Sequence, residues 1–196
     1  MTTAQSTAAR SPIVTIAIHL GGAARRFIAE CRGISAVEFA ALLPVILTLY
    51  LGTVETSQGV AAARKVKLTA HTLATVATQY TDITDADMSN ILNAGAAIMA
   101  PYPSTPLQET VSEIAINAEG QATVVWSDTL GGTALTVGQS VTVPASLVVP
   151  NTYLVLAQVQ YLYNPTYGYV LTGTVTLSDQ IFMQPRDSTS IARTAS

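Results

Sequence analysis

Glu38 is the residue of this sequence whose chemistry most needs an explanation. It lies just inside an apolar run from Arg32 to Val54, RGISAVEFAALLPVILTLYLGTV, and is the only carboxylate there. A carboxylate at the head of a membrane segment costs free energy, so it needs a functional reason. A glycine, Gly33, stands immediately before this run, with basic residues further upstream. The acid and the glycine are therefore the first candidates for a functional site.

Residues for catalysis or metal binding are scarce elsewhere. The sequence has two histidines, His19 and His71, and one cysteine, Cys31, which cannot together make a zinc site. It has no nucleophile elbow, phosphate loop or dinucleotide fingerprint. Three aspartates in residues 82–87 lack the glycine and glutamate that a calcium loop requires. We therefore expect no enzyme activity, no metal, no cofactor and no small-molecule substrate.

Composition and charge favour a membrane-anchored protein. Charged residues are 11% of the 196 residues, and hydrophobic residues are 49%, whereas about 25% charged residues is typical of soluble domains. The net charge is −3, with nine lysines and arginines, so nucleic acid is not an expected partner. Residues 1–33 carry +3 and the remainder −6. This asymmetry predicts a cytoplasmic N-terminus and an external C-terminal bulk, which contains no cysteine and needs a core for stability.

The apolar run is long enough to cross a membrane. Counted from Gly33 to Val54 it has 22 residues, and a helix of that length spans about 33 Å. Pro44 lies inside it, where membrane helices tolerate proline. Three interpretations are open: a simple signal anchor with Glu38 at the interface, a secretory signal peptide cut after residues 61–63, and a type IV prepilin-like segment.

The third interpretation accounts for the glycine and the acid together. The segment RGISAVEFAALLPVIL resembles the N-terminal segment of the TadE/TadG-like family of Tad (tight adherence) pilus proteins. A basic residue and a glycine are followed in that family by Ala-Val-Glu-Phe-Ala and a leucine- and proline-rich helix. The matching residues here are Arg32, Gly33, Ala36, Val37, Glu38, Phe39, Ala40, Leu42, Leu43 and Pro44. A fainter resemblance extends to residues 161–165 and to Pro185-Arg186.

The resemblance implies a processed subunit of a pilus machine. A prepilin peptidase would cut between Gly33 and Ile34, which makes Glu38 the fifth residue of the mature protein. Arg32, Glu38 and Phe39 would serve in N-terminal recognition and assembly. The new α-amino group is cationic at neutral pH, and a carboxylate can pair with it on an adjacent subunit. The implied partners are membrane lipid, the prepilin peptidase, a related minor pseudopilin and the major pilin.

A helical pattern continues beyond the membrane segment. Small and apolar residues recur at intervals of three and four from Gly59 to Tyr80, which predicts one helix over residues 34–80. A short second helix is expected to begin at Thr84, its N-cap, and to end at Pro101. Its apolar side would contain Met88, Ile91, Leu92, Ala96 and Met99.

The C-terminal half predicts a β-rich head. Residues 111–117 and 121–127 alternate as a hairpin, and residues 129–140 resemble a loop before a short strand at 141–143. Residues 151–163 give the strongest strand, paired with 170–179, and the tail from Pro185 is expected to be frayed. Tyrosines 161, 163, 167 and 169 cluster at this hairpin. They could form an exposed hot spot or pack in the core.

These predictions combine into an α+β fold in which a long helix and a short one pack on an antiparallel sheet of four or five strands. We expect a cleaved leader at 1–33, a membrane helix at 34–54, its external continuation at 55–80 and a head at 81–196. The expected protein is a minor pseudopilin of a Tad-type adhesive pilus and secretion machine in the bacterial inner membrane, crossing it once with the head outside. Its entry into the fibre stays open. The alternative is an unprocessed, membrane-anchored binding or adhesin module.

Overall fold

A computed structural model describes residues 32–165, 168 and 173–195 of the chain. The chain divides into two compact units, residues 1–50 and 51–196. The leader with Cys31, the tyrosines Tyr167 and Tyr169 and the start of the strand predicted from residue 170 lie outside the described residues.

The described elements confirm the α+β prediction. The two α-helices are α1 (Arg32–Ala77) and α2 (Asp85–Ile98). The six strands are β1 (Asp82–Thr84), β2 (Leu107–Ile116), β3 (Ala122–Leu130), β4 (Thr152–Tyr163), β5 (Val175–Met183) and β6 (Ala192–Thr194). A short 3-10 helix spans Ala145–Leu147.

Helix α1 buries the predicted stripe along its second half. Ala62, Val66 and Leu73 are almost fully buried, as are Ala70 and Ala77, whereas the stripe's ends at 59 and 80 are half-buried. The helix ends three residues before the predicted Tyr80. Turn hydrogen bonds from the amides of residues 79 and 80 to carbonyls three residues earlier replace the α-helical pattern there.

Helix α2 begins at the predicted N-cap. The Thr84 hydroxyl accepts the Asp87 amide at 3.2 Å, and the Asp87 carboxylate accepts the Thr84 amide at 3.2 Å. This reciprocal pair is a capping box, which satisfies two backbone donors. The Asp87 carboxylate also accepts the Thr84 hydroxyl at 2.6 Å. This hydrogen bond first, and the one from the Thr84 amide second, hold the pKa of Asp87 below its usual value. Met88, Ile91 and Leu92 are buried as expected, and the helix ends at Ile98, before Pro101.

Four strands form an antiparallel sheet in the order β3-β2-β4-β5. The predicted hairpin is confirmed as β2 and β3, with both strands longer than expected. Strand β4 alternates as predicted: Val155, Ala157 and Val159 pack with the buried stripe of α1, and Leu154 and Leu156 lie in a second cluster on the other face. Residues 135–148 contribute apolar side chains to that second cluster.

Two local predictions were wrong, and a third, the strand that pairs with β4, was confirmed with a different end. Residues 141–143 form no strand; the Val141 amide donates to the Ala122 carbonyl at 3.0 Å, beside an isolated bridge at Ser140. The partner strand of β4 was predicted at 170–179, but β5 extends four residues past Asp179, because the register with β4 pairs Met183 with Val155.

The tail from Pro185 is not frayed. Ile191 is 1% exposed, and β6 pairs in parallel with β1 as a small second sheet. The tail is held by contacts to distant residues that its own polar sequence does not reveal.

Candidate functional site

The residues predicted to form a processing and assembly site lie in one segment at the start of α1. Arg32, Gly33 and Ile34 begin the helix, and Glu38 and Phe39 follow one turn later. The bond after Gly33 is therefore part of the helix.

The apolar part of α1 has no core to pack on within the described chain. Its large side chains are exposed on all sides, with Phe39 at 60%, and they include Val37, Leu42, Leu43, Val45, Ile46, Leu47, Leu49 and Tyr50. A helix that is apolar all round is stable only when something apolar covers it. Within the described residues, the stretch Ser35–Ala77 is long and apolar enough to contain a membrane span.

Polar groups inside this helix are satisfied locally. Pro44 has no amide hydrogen to donate to the preceding turn. The Thr48 hydroxyl donates to the Pro44 carbonyl at 2.8 Å, and the Thr56 hydroxyl donates to the Gly52 carbonyl at 2.8 Å. Both hydroxyls thereby avoid an unpaired donor in an apolar environment. Between residues 35 and 54 the ionisable side chains are Glu38 and Tyr50. Of the two, only Glu38 is a carboxylate, and it is exposed.

Glu55 is the first buried residue along α1. It is 1% exposed, and its carboxylate accepts the amide of Gly168. Three residues later, the Gln58 carbonyl accepts the Tyr102 hydroxyl at 3.2 Å. These contacts hold Gly168 and Tyr102 against the helix. Glu55 was not predicted to be buried.

Two tyrosines of the predicted cluster lie in the core. Tyr161 and Tyr163 are buried, and Tyr102 packs edge-on against both, with ring centroids 6.3 and 6.4 Å away. Burial raises the pKa of the Tyr161 and Tyr163 hydroxyls above the usual value. The core alternative is therefore the correct one for these two residues.

A second unexpected acid, Glu109, faces the helices from β2. It is fully buried, and neither carboxylate oxygen has a hydrogen-bond partner. A Cβ atom at Gly95 of α2 would collide with its Oε1 atom, so the glycine makes room for the acid. Burial raises the pKa of Glu109 from 4.5 to about 7.

A third buried acid, Glu113, holds the C-terminal segment. Its Oε1 accepts the Ile191 amide at 2.6 Å, and the Trp126 indole donates to the Ile191 carbonyl at 2.9 Å. Burial raises the pKa of Glu113, and the Ile191 hydrogen bond opposes that rise. Glu109 and Glu113 share a strand face with Leu107 and Val111, so a strand assigned from residue 107 would have predicted both as inward-facing.

The described residues offer little for catalysis. No group of three or more His, Cys, Asp or Glu side chains among them could hold a metal ion. Glu55, Glu109 and Glu113 are buried, whereas Glu38 is exposed. What the N-terminal segment can do chemically is bind: it offers lipid or helix contacts and one carboxylate.

These features define a class: an α+β head continuous with an N-terminal helix that could anchor it in a membrane. Residues 33–75 match the model of the TadE-like protein family. The resemblance drawn from the Arg32–Pro44 motif is thus confirmed for this segment. No curated protein and no solved structure matched the chain. The match and the candidate membrane helix indicate a Tad pilus-related component. The matched family is one of pilus components rather than enzymes.

Proposed function

We propose that this protein is a minor pseudopilin of a Tad-type adhesive pilus machine, which assembles through its N-terminal helix after prepilin-peptidase processing. The leader, residues 1–33, stays in the cytoplasm until the bond between Gly33 and Ile34 is cut. The helix then remains in the bacterial inner membrane, with the head outside. Its partners are the peptidase, a related minor pseudopilin and the major pilin.

The observation that carries this proposal is the position of Glu38. It is an exposed carboxylate in an apolar segment whose other side chains are also exposed, and the family match begins at Gly33, immediately before the proposed cut. In a single membrane helix, the free-energy cost of placing the Glu38 carboxylate in an apolar environment is not compensated by any group of that helix. In an assembly of helices, a cation on an adjacent subunit can compensate it.

The mechanism follows from the chemistry of cleavage. Hydrolysis after Gly33 creates an α-amino group on Ile34, which is cationic at neutral pH. The Glu38 carboxylate is four residues, about one helical turn, further along. In an apolar environment each charge alone is costly, whereas the amino group of one subunit paired with the carboxylate of the next is stabilised. The pair favours a fixed stagger between adjacent helices.

A bulky residue at position 33 tests the processing step. Gly33→Phe should block cleavage, because a large side chain before the scissile bond denies the peptidase its close approach to the backbone. Immunoblots and intact mass of the membrane fraction should show only the species that retains the leader. The wild-type protein in the same strain should be shorter by 33 residues.

Gly22→Phe is the matched control, since it makes the same substitution in the leader, eleven residues from the proposed site. This variant should be cleaved normally. If Gly33→Phe is cleaved as efficiently as Gly22→Phe, or if the wild type is never shortened, the protein is the unprocessed membrane-anchored module instead.

A further inference from the structure

The outward side of α1 beyond the membrane segment carries an unusual surface. Opposite the buried stripe, five residues at helical spacing form what we term the basic face: Val60, Arg64, Lys67, Leu68 and His71. All five are exposed, with Val60 at 47% and Leu68 at 55%. Exposed aliphatic side chains flanked by cations are typical of a surface that a partner covers.

The charge of this face is uncompensated. Between Glu55, which is buried, and Asp82 the sequence contains no acid. In the described part of the chain, neither Arg64 nor Lys67 takes part in a salt bridge, whereas Arg193 forms two. The neighbouring Lys65 is turned away, since its Nζ donates to the Ile98 carbonyl at 2.8 Å. Arg64 and Lys67 therefore remain available to an acidic partner.

The same head carries a complementary surface. We call a group of four carboxylates near Arg193 the acidic end; its members are Asp82, Asp85, Asp87 and Asp128. Arg193 pairs with Asp85 at 2.6 Å and with Asp128 at 2.8 Å, but one cation cannot neutralise four carboxylates. The acidic end keeps a net charge of −3, within a unit of residues 51–196 that carries −5.

The two surfaces lie at different heights along α1. Arg64 lies 13 residues before the end of α1 at Ala77, about 20 Å along the helix. Asp82 begins β1, five residues beyond that end. Because the two oppositely charged surfaces are offset along one subunit, they favour a head-to-tail contact between copies over a symmetric dimer. Head-to-tail contacts can repeat from copy to copy and so build a filament.

We propose that the basic face of one copy binds the acidic end of a second copy, with Val60 and Leu68 buried at the contact. Membrane lipid is a poorer occupant: Arg64 lies ten residues past Val54, about 15 Å along the helix, beyond the headgroup layer. This contact rests on the proposed function, because a propagating interface serves only in an assembly. It adds a second, extracytoplasmic interface to the one formed by Glu38.

Disulfide trapping tests the contact in the full-length protein. Cys31 is the chain's only cysteine, so a Cys31→Ser background allows single cysteines to be placed at will. Two copies with different tags are co-produced in cells that assemble the pilus, one with Leu68→Cys and one with Ser89→Cys, an exposed position one turn beyond Asp85. Mild oxidation should yield a disulfide-linked dimer that contains both tags.

Two comparisons decide the outcome. Leu68→Cys with Ala118→Cys, an exposed position in the β2–β3 turn, should yield at least about tenfold less dimer. The double variant Arg64→Glu/Lys67→Glu should lower the yield of the 68–89 dimer at least about tenfold, because like charges then face each other. A tenfold change in binding corresponds to about 1.4 kcal/mol. The proposal is overturned if the cysteines at 68 and 89 yield no more dimer than those at 68 and 118. It is also overturned if charge reversal leaves the 68–89 dimer yield unchanged, or if the cross-link forms only to a different subunit.

Processing is followed in the same samples through the length of the protein. A missing cross-link in fully shortened protein refutes the contact alone. A cross-link in protein that retains the leader supports the contact and refutes the processing step.

Discussion

Glu38→Ala is expected to leave the protein in the membrane and to abolish its incorporation into the pilus assembly. Loss of the acid makes α1 more apolar, so insertion should be at least as efficient as in the wild type. Assembly should fail because the amino group of Ile34 on an adjacent subunit would then have no counter-charge in an apolar environment. Membrane fractionation and counts of surface pili in a complemented deletion strain measure the two effects.

Two variants serve as controls for Glu38→Ala. Glu38→Asp keeps the charge and should retain part of the piliation, whereas Glu38→Gln keeps the shape without the charge and should match the alanine variant. Thr48→Ala removes a polar group from the same helix, one whose hydrogen bond is only to Pro44. It should pilate normally. Normal piliation by Glu38→Ala would refute the charge-pairing mechanism.

Glu109→Met is expected to stabilise the head by about 3 kcal/mol at pH 8. The pKa of Glu109 rises from 4.5 to about 7 on folding, and each pKa unit corresponds to about 1.4 kcal/mol. Between pH 4.5 and about pH 7, Glu109 therefore keeps its proton in the folded state and has lost it in the unfolded state. Stability of the wild type should fall as pH rises from about 4.5 to 7 and then level off.

The measurement for Glu109 is chemical denaturation of the full-length protein in detergent, followed by the fluorescence of Trp126, the only tryptophan. Glu109→Met should lose less stability between pH 5 and 8 than the wild type, and Glu113, whose pKa burial also raises, should account for a remaining loss. Glu113→Met is the matched control, because that carboxylate accepts the Ile191 amide at 2.6 Å. It should be destabilising, since a buried amide then loses its partner. Equal pH dependence in wild type and Glu109→Met would refute the buried, unpaired acid.

The sequence predicted those elements whose signals are local. The stripe from Ala62 to Ala77 has a helical period, and the Thr84–Asp87 spacing is sufficient to predict a capping box. The alternation in β4 identifies both of its faces. Each of these patterns depends only on residues close together in the sequence, so the elements could be predicted without knowledge of the tertiary fold.

The errors concern residues held by distant partners. The three residues of β6 are ordered because Glu113 and Trp126 hold Ile191 and because Arg193 reaches Asp85 and Asp128. Nothing in the polar tail itself indicates this. The bounds of β5 depend on its register with β4, which the sequence of β5 alone does not determine. Buried Glu55 and Glu109 contradict the usual preference of carboxylates for water, so composition alone gave no reason to place them inside.

The candidate site was predicted as a set of residues but not as a geometry. Arg32, Gly33, Glu38 and Phe39 were identified from their order and their resemblance to a family. The family match covers Gly33, Glu38 and Phe39 and begins one residue after Arg32. In the proposed mechanism their pairing partners belong to other subunits, so one chain would not contain the completed site. The exposed charge and the exposed apolar side chains of α1 are what an unassembled subunit would present.

The central claim is that the working protein begins at Ile34, and intact-mass and N-terminal analysis of the wild-type protein from native membranes tests it most directly. Our account predicts one species of residues 34–196, with Ile34 at its N-terminus and without Cys31. The same protein from a strain without prepilin peptidase should keep residues 1–33. An N-terminus upstream of Ile34 in cells with active peptidase would contradict the account.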